Sequence, residues 1–392
     1  MNLVSELDLP AFDYTAPGFS ADTYHAQLAR IRQRHWLART PIAYIVLDHD
    51  SGEFFLRSKA AAFPGRQIAE FFGVTDGPLA EHIDANILNL TGERHHRLRA
   101  LIGHAFTPRA ADRWRGVMRG FLERLWARVS AYGECDFVPA IARPYPSLTI
   151  ATILGAPHQD AGRLHEWSSW VQRQFDIRAL ETSLPEIERA VKELQEYVTA
   201  LLTARRRIPG DDLISELIQA DLAPDECINL VVNLLAGGID TTAGQLAHAI
   251  RLFAMHPGQW NLLAERPLLA ASAVEEVLRF EPVTPFTARI CLSDIDHRGV
   301  RFPAGTIIAI CAERANRESG ESFDITAPRE GRLLTFGAGA HYCLGVNLAR
   351  AELEEALAFL APRVPGLALN GPPQLGGVEG IYGIDKLLIT WS

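Results

Sequence analysis

A cysteine set among glycines, in the run Phe336, Gly337, Ala338, Gly339, Ala340, His341, Tyr342, Cys343, Leu344, Gly345, constrains this chain more than any other stretch. A thiolate that serves as a metal ligand must stay ionised and be shielded from oxidation. That calls for backbone N–H donors around the sulfur rather than bulky side chains. Gly337 and Gly339 permit positive φ in a tight turn, and Gly345 allows the next helix to approach closely. That helix, from Val346 onward, would aim its positive dipole end at the sulfur. A lone cysteine beside a glycine turn ordinarily reads as core, since free cysteines are among the most buried residues. The order F-G-x-G-x-H-x-C-x-G, however, specifies six positions, more than packing alone requires.

Three other segments carry spacings that chemistry can use. Glu276 and Arg279 lie three apart on a helix expected over Pro267–Phe280, so carboxylate and guanidinium share a face and can pair. The same spacing also occurs in solvated charged helices. From Asn229 to His256 a long apolar run is interrupted by Ala236, Gly237, Gly238, Ile239, Asp240, Thr241 and Thr242. Paired glycines and threonines weaken a helix interior, which implies a purpose. A close helix contact would account for the glycines, and back-bonding to a carbonyl for the threonines. Asn229, Asn233, Asp240, Gln245 and His248 keep the run short of the ~18 uninterrupted apolar residues of a membrane span. His95 and Arg99 are four apart, putting two donors on one side of a helix, and arginine is the natural fork for a carboxylate.

The cysteine loop resembles the ligand signature of the cytochrome P-450 family, and the three segments match that family's other elements in the right order. The resemblance implies a mainly α (α+β) fold with a large helical body and a small β-rich lobe, as a single domain over residues 1–392. It implies haem b, iron protoporphyrin IX, with Cys343 as the axial thiolate and metal ligand, and dioxygen as cosubstrate. Phe336, Gly337 and Gly345 would shape the ligand loop, while His95, Arg99, Arg289 and His341 would donate to the propionates. Glu276 and Arg279 would buttress the segment before the cysteine. Thr241 would hydrogen-bond at the oxygen site, and Asp240 would feed protons through water held in a widened helical turn. The pocket would draw on Leu88, Asn233, Ala236, Gly237, Val283, Phe286 and Ile381, a mostly apolar set suited to a hydrophobic small molecule.

The activity implied is a haem-thiolate monooxygenase that hydroxylates or epoxidises a terpenoid, steroid, fatty acid or polyketide. Oxidative coupling or ring formation uses the same machinery. A peroxide-driven oxidase is disfavoured by the intact Asp240 and Thr241, and a gas sensor by the absence of any recognisable signalling segment. Two electrons must come from outside, by resemblance from a ferredoxin or flavodoxin with its NAD(P)H reductase. Arg97, Arg109, Arg113, Arg115, Arg332 and Arg350 could form the docking patch or simply a solvated arginine face.

Helical periodicity dominates, as in Ala111–Tyr132, Pro185–Arg206, Ala223–Met255 and Asn347–Leu360. Residues 42–47 and 53–56 read as a hairpin around Asp48–Gly52, and Val300–Ile310 with Leu387–Trp391 as a small mixed sheet. With 38 basic against 47 acidic residues, the net charge of −9 offers nothing to nucleic acid or anionic membrane. Met1–Pro17 lacks a basic stretch followed by an apolar one, so no leader or membrane anchor is expected. Five scattered cysteines without a C-x-x-C pair suit a reducing compartment. The expectation is a cytoplasmic monomer.

Overall fold

One 32-residue helix, Pro224–Met255, forms the axis around which the protein packs. Pro224 occupies its first turn, and Glu226 reaches back to accept the Ala223 N–H at 3.3 Å. At the other end Pro257 follows His256, whose Nδ1 donates to the Leu252 carbonyl at 2.8 Å. By length and a mean hydropathy of 1.2 over its most apolar window this helix could cross a bilayer, yet most of its apolar side chains are buried against other helices. The computed structural model describes residues 2–13, 23–220, 222–329, 331–378 and 380–392. Met1 and residues 14–17 of the Met1–Pro17 stretch, where no leader is expected, lie outside these.

The helices that position the site are α1 (His49–Arg57), α2 (Gly92–Gly103), α3 (Arg115–Trp126), α4 (Pro144–Leu154), α5 (Ala161–Gln172), α6 (Leu184–Arg207), α7 (Pro224–Met255), α8 (Ala270–Phe280) and α9 (Val346–Leu360). Helices α4, α5, α6 and α9 all pack on α7. Three of the periodic stretches form single helices within a residue or two of their expected bounds. Ala111–Tyr132 does not. A short helix, Pro108–Asp112, capped by the Thr107 hydroxyl, precedes α3, and residues 127–132 wind into turns that lead to Gly133 at φ +70°. The segment before Phe280 likewise opens with a 3-10 turn, Pro267–Leu269.

The expected hairpin is wrong in its second half. Asp48 caps α1, its Oδ1 accepting the Ser51 N–H at 2.9 Å, so residues 53–56 are helical and Phe55 and Leu56 are buried. Gly52 is a packing glycine there rather than a turn glycine, since a Cβ would sit 2.8 Å from Leu334 and 2.9 Å from Ile310. The strand that remains joins a five-stranded sheet, whose strands are β1 (Leu37–Arg39), β2 (Tyr44–Val46), β3 (Ala61–Ala62), β4 (Phe286–Cys291) and β5 (Ile307–Cys311), ordered β1-β2-β5-β4-β3. Only the β2–β5 pairing in it is parallel.

The single small sheet expected from Val300–Ile310 and the C-terminus is in fact divided among three. Pro303 and Gly305, at φ +85°, turn the chain between Val300–Phe302 and β5. Val300–Phe302 pairs with Asn2–Leu3 and Ile295–His297, whereas Leu388–Thr390 pairs with Ala368–Leu369 and Glu134–Asp136. The result is a helical body with small β-sheets at its margin.

Candidate active site

Two 3-10 turns, Leu334–Phe336 and Gly339–His341, fold the cysteine loop back on itself. The Cys343 N–H donates to the Phe336 carbonyl at 2.9 Å, and the Gly337 N–H to that of Leu334 at 2.8 Å. Gly337 and Gly339 hold φ of +68° and +71°, and a Cβ on Gly339 would lie 3.0 Å from the backbone of Leu56 and Arg57 at the end of α1. Gly345 differs from expectation. No atom lies within 4 Å of where its Cβ would be; its contribution is an N–H that reaches the Cys343 sulfur from the start of α9. Burial pushes the Cys343 thiol up, against the pull of that N–H and of the Arg99 and Arg350 guanidinium groups. Arg350 is itself clamped by Glu275 at 2.6 and 2.9 Å, with its guanidinium 5.2 Å from the centre of the Phe336 ring.

Four cationic or potentially cationic side chains gather beside this loop. His95 and Arg99 come from α2, Arg289 from β4 and His341 from the loop, and the His95 and His341 rings lie 4.3 Å apart. Arg99 donates to the Tyr342 carbonyl, and Arg289, 4% exposed, donates to the Ala288 carbonyl at 2.8 Å. The His95 Nε2 is buried without a partner, and among the described residues no carboxylate pairs with any of the four. Burial lowers Arg289 to about 10. Burial, then His95 and the neighbouring arginines, lowers His341 to about 4; burial and Arg99 lower His95. A desolvated cluster of one sign is unfavourable until an anion enters. A cofactor bearing two carboxylates beside a metal fits it, and the propionates of a haem ligated at Cys343 have that chemistry.

This arrangement has a signed consequence. In haem-free protein Arg289→Met should raise stability by about 1–3 kcal/mol, because it removes a buried charge with no counter-ion. The same substitution should weaken haem uptake. Urea unfolding of the haem-free protein and a haem titration check the two halves.

Helix α7 stays α-helical through its glycine pair, so the expected widened turn is absent. The Thr241 hydroxyl instead donates to the Gly237 carbonyl one turn back, at 2.6 Å. The glycines divide the labour. A Cβ on Gly238 would collide with Ile150 of α4 at 2.7 Å, while one on Gly237 would meet nothing within 4 Å. One therefore brings two helices together and the other leaves open space. Asp240 Oδ1 lies 3.2 Å from Nδ1 of His165, a partner that the sequence reading missed. It belongs to a polar stripe on α5 at i, i+3 and i+7. Ser168 Oγ and Gln172 Nε2 donate to the Ala236 carbonyl at 3.2 and 2.7 Å. That spacing, set among Leu164, Trp167 and Val171, was the available signal.

Glu276 and Arg279 form a buried two-pronged pair at 2.7 and 2.8 Å. Arg279 also donates to the Gly320 and Ser322 carbonyls, and Glu276 accepts from the Asp324 N–H and Arg329. Of the expected pocket residues, Val283 and Ile381 meet at Gly244 of α7, where a Cβ would lie 2.8 and 3.7 Å from their side chains. Ala236 is buried, Leu88 sits in the partly exposed loop after the Gly77–Ala85 helix, and Asn233 has a buried Nδ2 without a partner. Phe286 must be removed from the set. Its ring packs near Phe12 and Tyr24, and strand alternation puts it on the face of β4 opposite Arg289. The arginine patch is also less available than expected. Arg97 pairs with Glu226, Arg113 with Glu216, Arg115 with Asp112, Glu354 and Glu355, and Arg350 with Glu275.

Residues 258–360 match the family model described as Cytochrome P450. Luteothin monooxygenase of Streptomyces thioluteus is 36% identical over 401 aligned positions, covering 98% of this chain and 97% of the relative. Mycinamicin IV hydroxylase/epoxidase of Micromonospora griseorubida is 33% identical over 79% of this chain and 81% of its own. The crystal structure of CalO2 superposes with a TM-score of 0.89 at 30% identity, covering 98% of this chain and 99% of that one.

Proposed function

The chain belongs to the cytochrome P450 family, haem enzymes with cysteine thiolate ligation that use dioxygen, and on that premise we propose how its residues carry out a monooxygenase reaction. The observation that carries the proposal is the convergence of His95, Arg99, Arg289 and His341, with no carboxylate of the described residues paired to them, beside the Cys343 sulfur. When bound, the haem supplies dioxygen activation assisted by electron donation from the thiolate. Cys343 would supply the thiolate that holds the haem iron, and the Gly345 N–H would temper the charge on its sulfur. The four donors would hold the two propionates, and Phe336 and Gly337 would keep the loop's shape. Glu276 and Arg279 brace the approach to it. Gly237 leaves open space beside α7.

Proton handling falls to Asp240 and Thr241. Because the Thr241 proton is committed to the Gly237 carbonyl, its Oγ is left as an acceptor and can hold a water or another O–H donor in place. Asp240 takes up protons and passes them toward that oxygen through water. Asp240→Asn should lower coupled product formation about 10²-fold and divert reducing equivalents to hydrogen peroxide. Product and peroxide formed per NAD(P)H consumed measure this.

The substrate is a hydrophobic small molecule, and we place it among secondary metabolites that carry a hydrogen-bond-accepting oxygen. Asn233 supports the second half of that reading, since its unpartnered Nδ2 lies two turns before Thr241 on α7 and would donate to such an oxygen. Leu88, Ala236, Val283 and Ile381 would supply apolar walls. Asn233→Leu should weaken binding of the true substrate by about 1 kcal/mol, read from the Soret shift on titration. Screening such compounds for that shift, then analysing products under labelled dioxygen, tests whether oxygen is inserted.

Electrons come from a separate redox partner. We assign a ferredoxin or flavodoxin with its NAD(P)H reductase, and a single-domain monomer over residues 1–392 working in the cytoplasm. No attraction to nucleic acid or to a membrane surface is proposed for a chain of net charge −9.

A further inference from the structure

We propose that His165 is the proton inlet of the oxygen site, a relay residue that acts through Asp240 and touches no substrate. The inference rests on the proton role assigned to Asp240 above. Two observations support it. Nδ1 of His165 is buried without a hydrogen-bond partner and lies 3.2 Å from Asp240 Oδ1, at ion-pair distance, so that a small rotation of the ring would align the two for transfer, while the residue as a whole keeps partial exposure. The solvent-facing part of the ring is therefore its far side, away from Nδ1. His165 lines a groove of about 560 Å³ between α3, α4 and α5, whose walls include Arg124, Arg128, Arg143, His158 and Gln159. The imidazole thus borders the groove and also lies beside the carboxylate, with its Nδ1 on the buried side.

Ser168 and Gln172 make the arrangement durable. Both donate to the Ala236 carbonyl, which locks the rotation of α5 about its axis and keeps His165 against the turn that carries Asp240. Asp240 of α7 is the group beside His165, and the charged or titratable groups lining the same groove are Arg124 and Arg128 from α3 and the turn after it, Arg143 just before α4, and His158 from the turn before α5. Arg143 is offset by Asp385 at 3.4 Å, and on α5 itself Arg163 lies over the Trp167 ring, with Glu166 next in sequence. A titratable group is useful at this position because it can gain a proton from the groove and lose one to the carboxylate.

The transfer balances as follows. An imidazole protonated at Nδ1 accepts a proton from groove water at Nε2 and becomes imidazolium, then releases its Nδ1 proton to Asp240 Oδ1. It is left neutral and protonated at Nε2, and exchange with water resets the tautomer. No electron or co-reactant is required beyond those the monooxygenase reaction already uses.

The test compares haem-loaded wild type, His165→Gln and Asp240→Asn. Glutamine keeps a polar side chain of similar reach but cannot ferry a proton. An unchanged substrate-induced Soret shift shows that the variants are folded and loaded. His165→Gln is expected to lower coupled product formation about 10²-fold, raise peroxide release and increase the solvent deuterium isotope effect on product formation. Independently of turnover, nitrogen NMR of the resting protein should find His165 protonated at Nδ1 in wild type and altered by Asp240→Asn. Wild-type coupling and isotope effect in His165→Gln, with both collapsed in Asp240→Asn, would overturn the relay and leave the role of Asp240 standing. If Asp240→Asn is itself without effect, the premise fails and the relay falls with it.

Discussion

Replacing Cys343 with serine should abolish turnover, by about 10³-fold or more, and remove the thiolate signature from the spectrum of the reduced, carbon monoxide-bound protein. The fold should survive. The loop is held by backbone hydrogen bonds, Cys343 N–H to Phe336 and Gly337 N–H to Leu334, and by glycines in the left-handed region, none of which needs the sulfur. Circular dichroism should therefore match wild type while the carbon monoxide spectrum does not. Wild-type spectra in the serine variant would remove Cys343 as the ligand. Because burial raises the thiol in the haem-free protein, haem uptake near neutral pH should also release a proton as the sulfur ionises, which weakly buffered pH measurements can follow.

Glu276→Ala should cost about 3–5 kcal/mol of stability, the largest effect expected from a single change outside the cofactor site. Arg279 is 1% exposed, and without the carboxylate it would keep only the Gly320 and Ser322 carbonyls, leaving a buried charge uncompensated. Arg279→Ala should be milder, because Glu276 retains Arg329 and the Asp324 N–H. Replacing both with leucine and methionine should recover part of the loss. The pH dependence has a definite sign. Burial pushes Glu276 up, but Arg279, the Asp324 N–H and Arg329 outweigh it and hold the carboxyl below its ordinary value. Its contribution is thus fully present above the unfolded-state pKa of about 4.3 and lost as pH falls through the lower folded value. Urea unfolding from neutral to acid pH should show wild type losing that increment while Glu276→Ala does not.

Several elements of the site were legible because their geometry is local. Positive φ at Gly337 and Gly339 follows from a tight turn, and the Glu276–Arg279 pairing from three-residue spacing on a helix. The long helices α6, α7 and α9 announced themselves by period. Misreadings arose where two local signals competed. Asp48 and Ser51 could open a turn or cap a helix, and the burial of Phe55 and Leu56 under α1 decided for the helix. The glycine pair in α7 suggested a distorted turn, yet Gly238 is there for Ile150, 88 positions away in the chain.

From its order of residues alone the chain determined its cysteine loop, its buried ion pair, its helical body and the adjacent Asp240 and Thr241 on its central helix, since each is written within one element or one turn. Tertiary structure alone decided that Asp240 meets His165, that Arg289 and His341 join His95 and Arg99 without a carboxylate among them, and that Phe286 turns away from Arg289. The physical reason is that spacing dictates which side chains share a face. Which face meets which depends on burying the apolar sides of many helices and strands at once, a condition that no single segment contains.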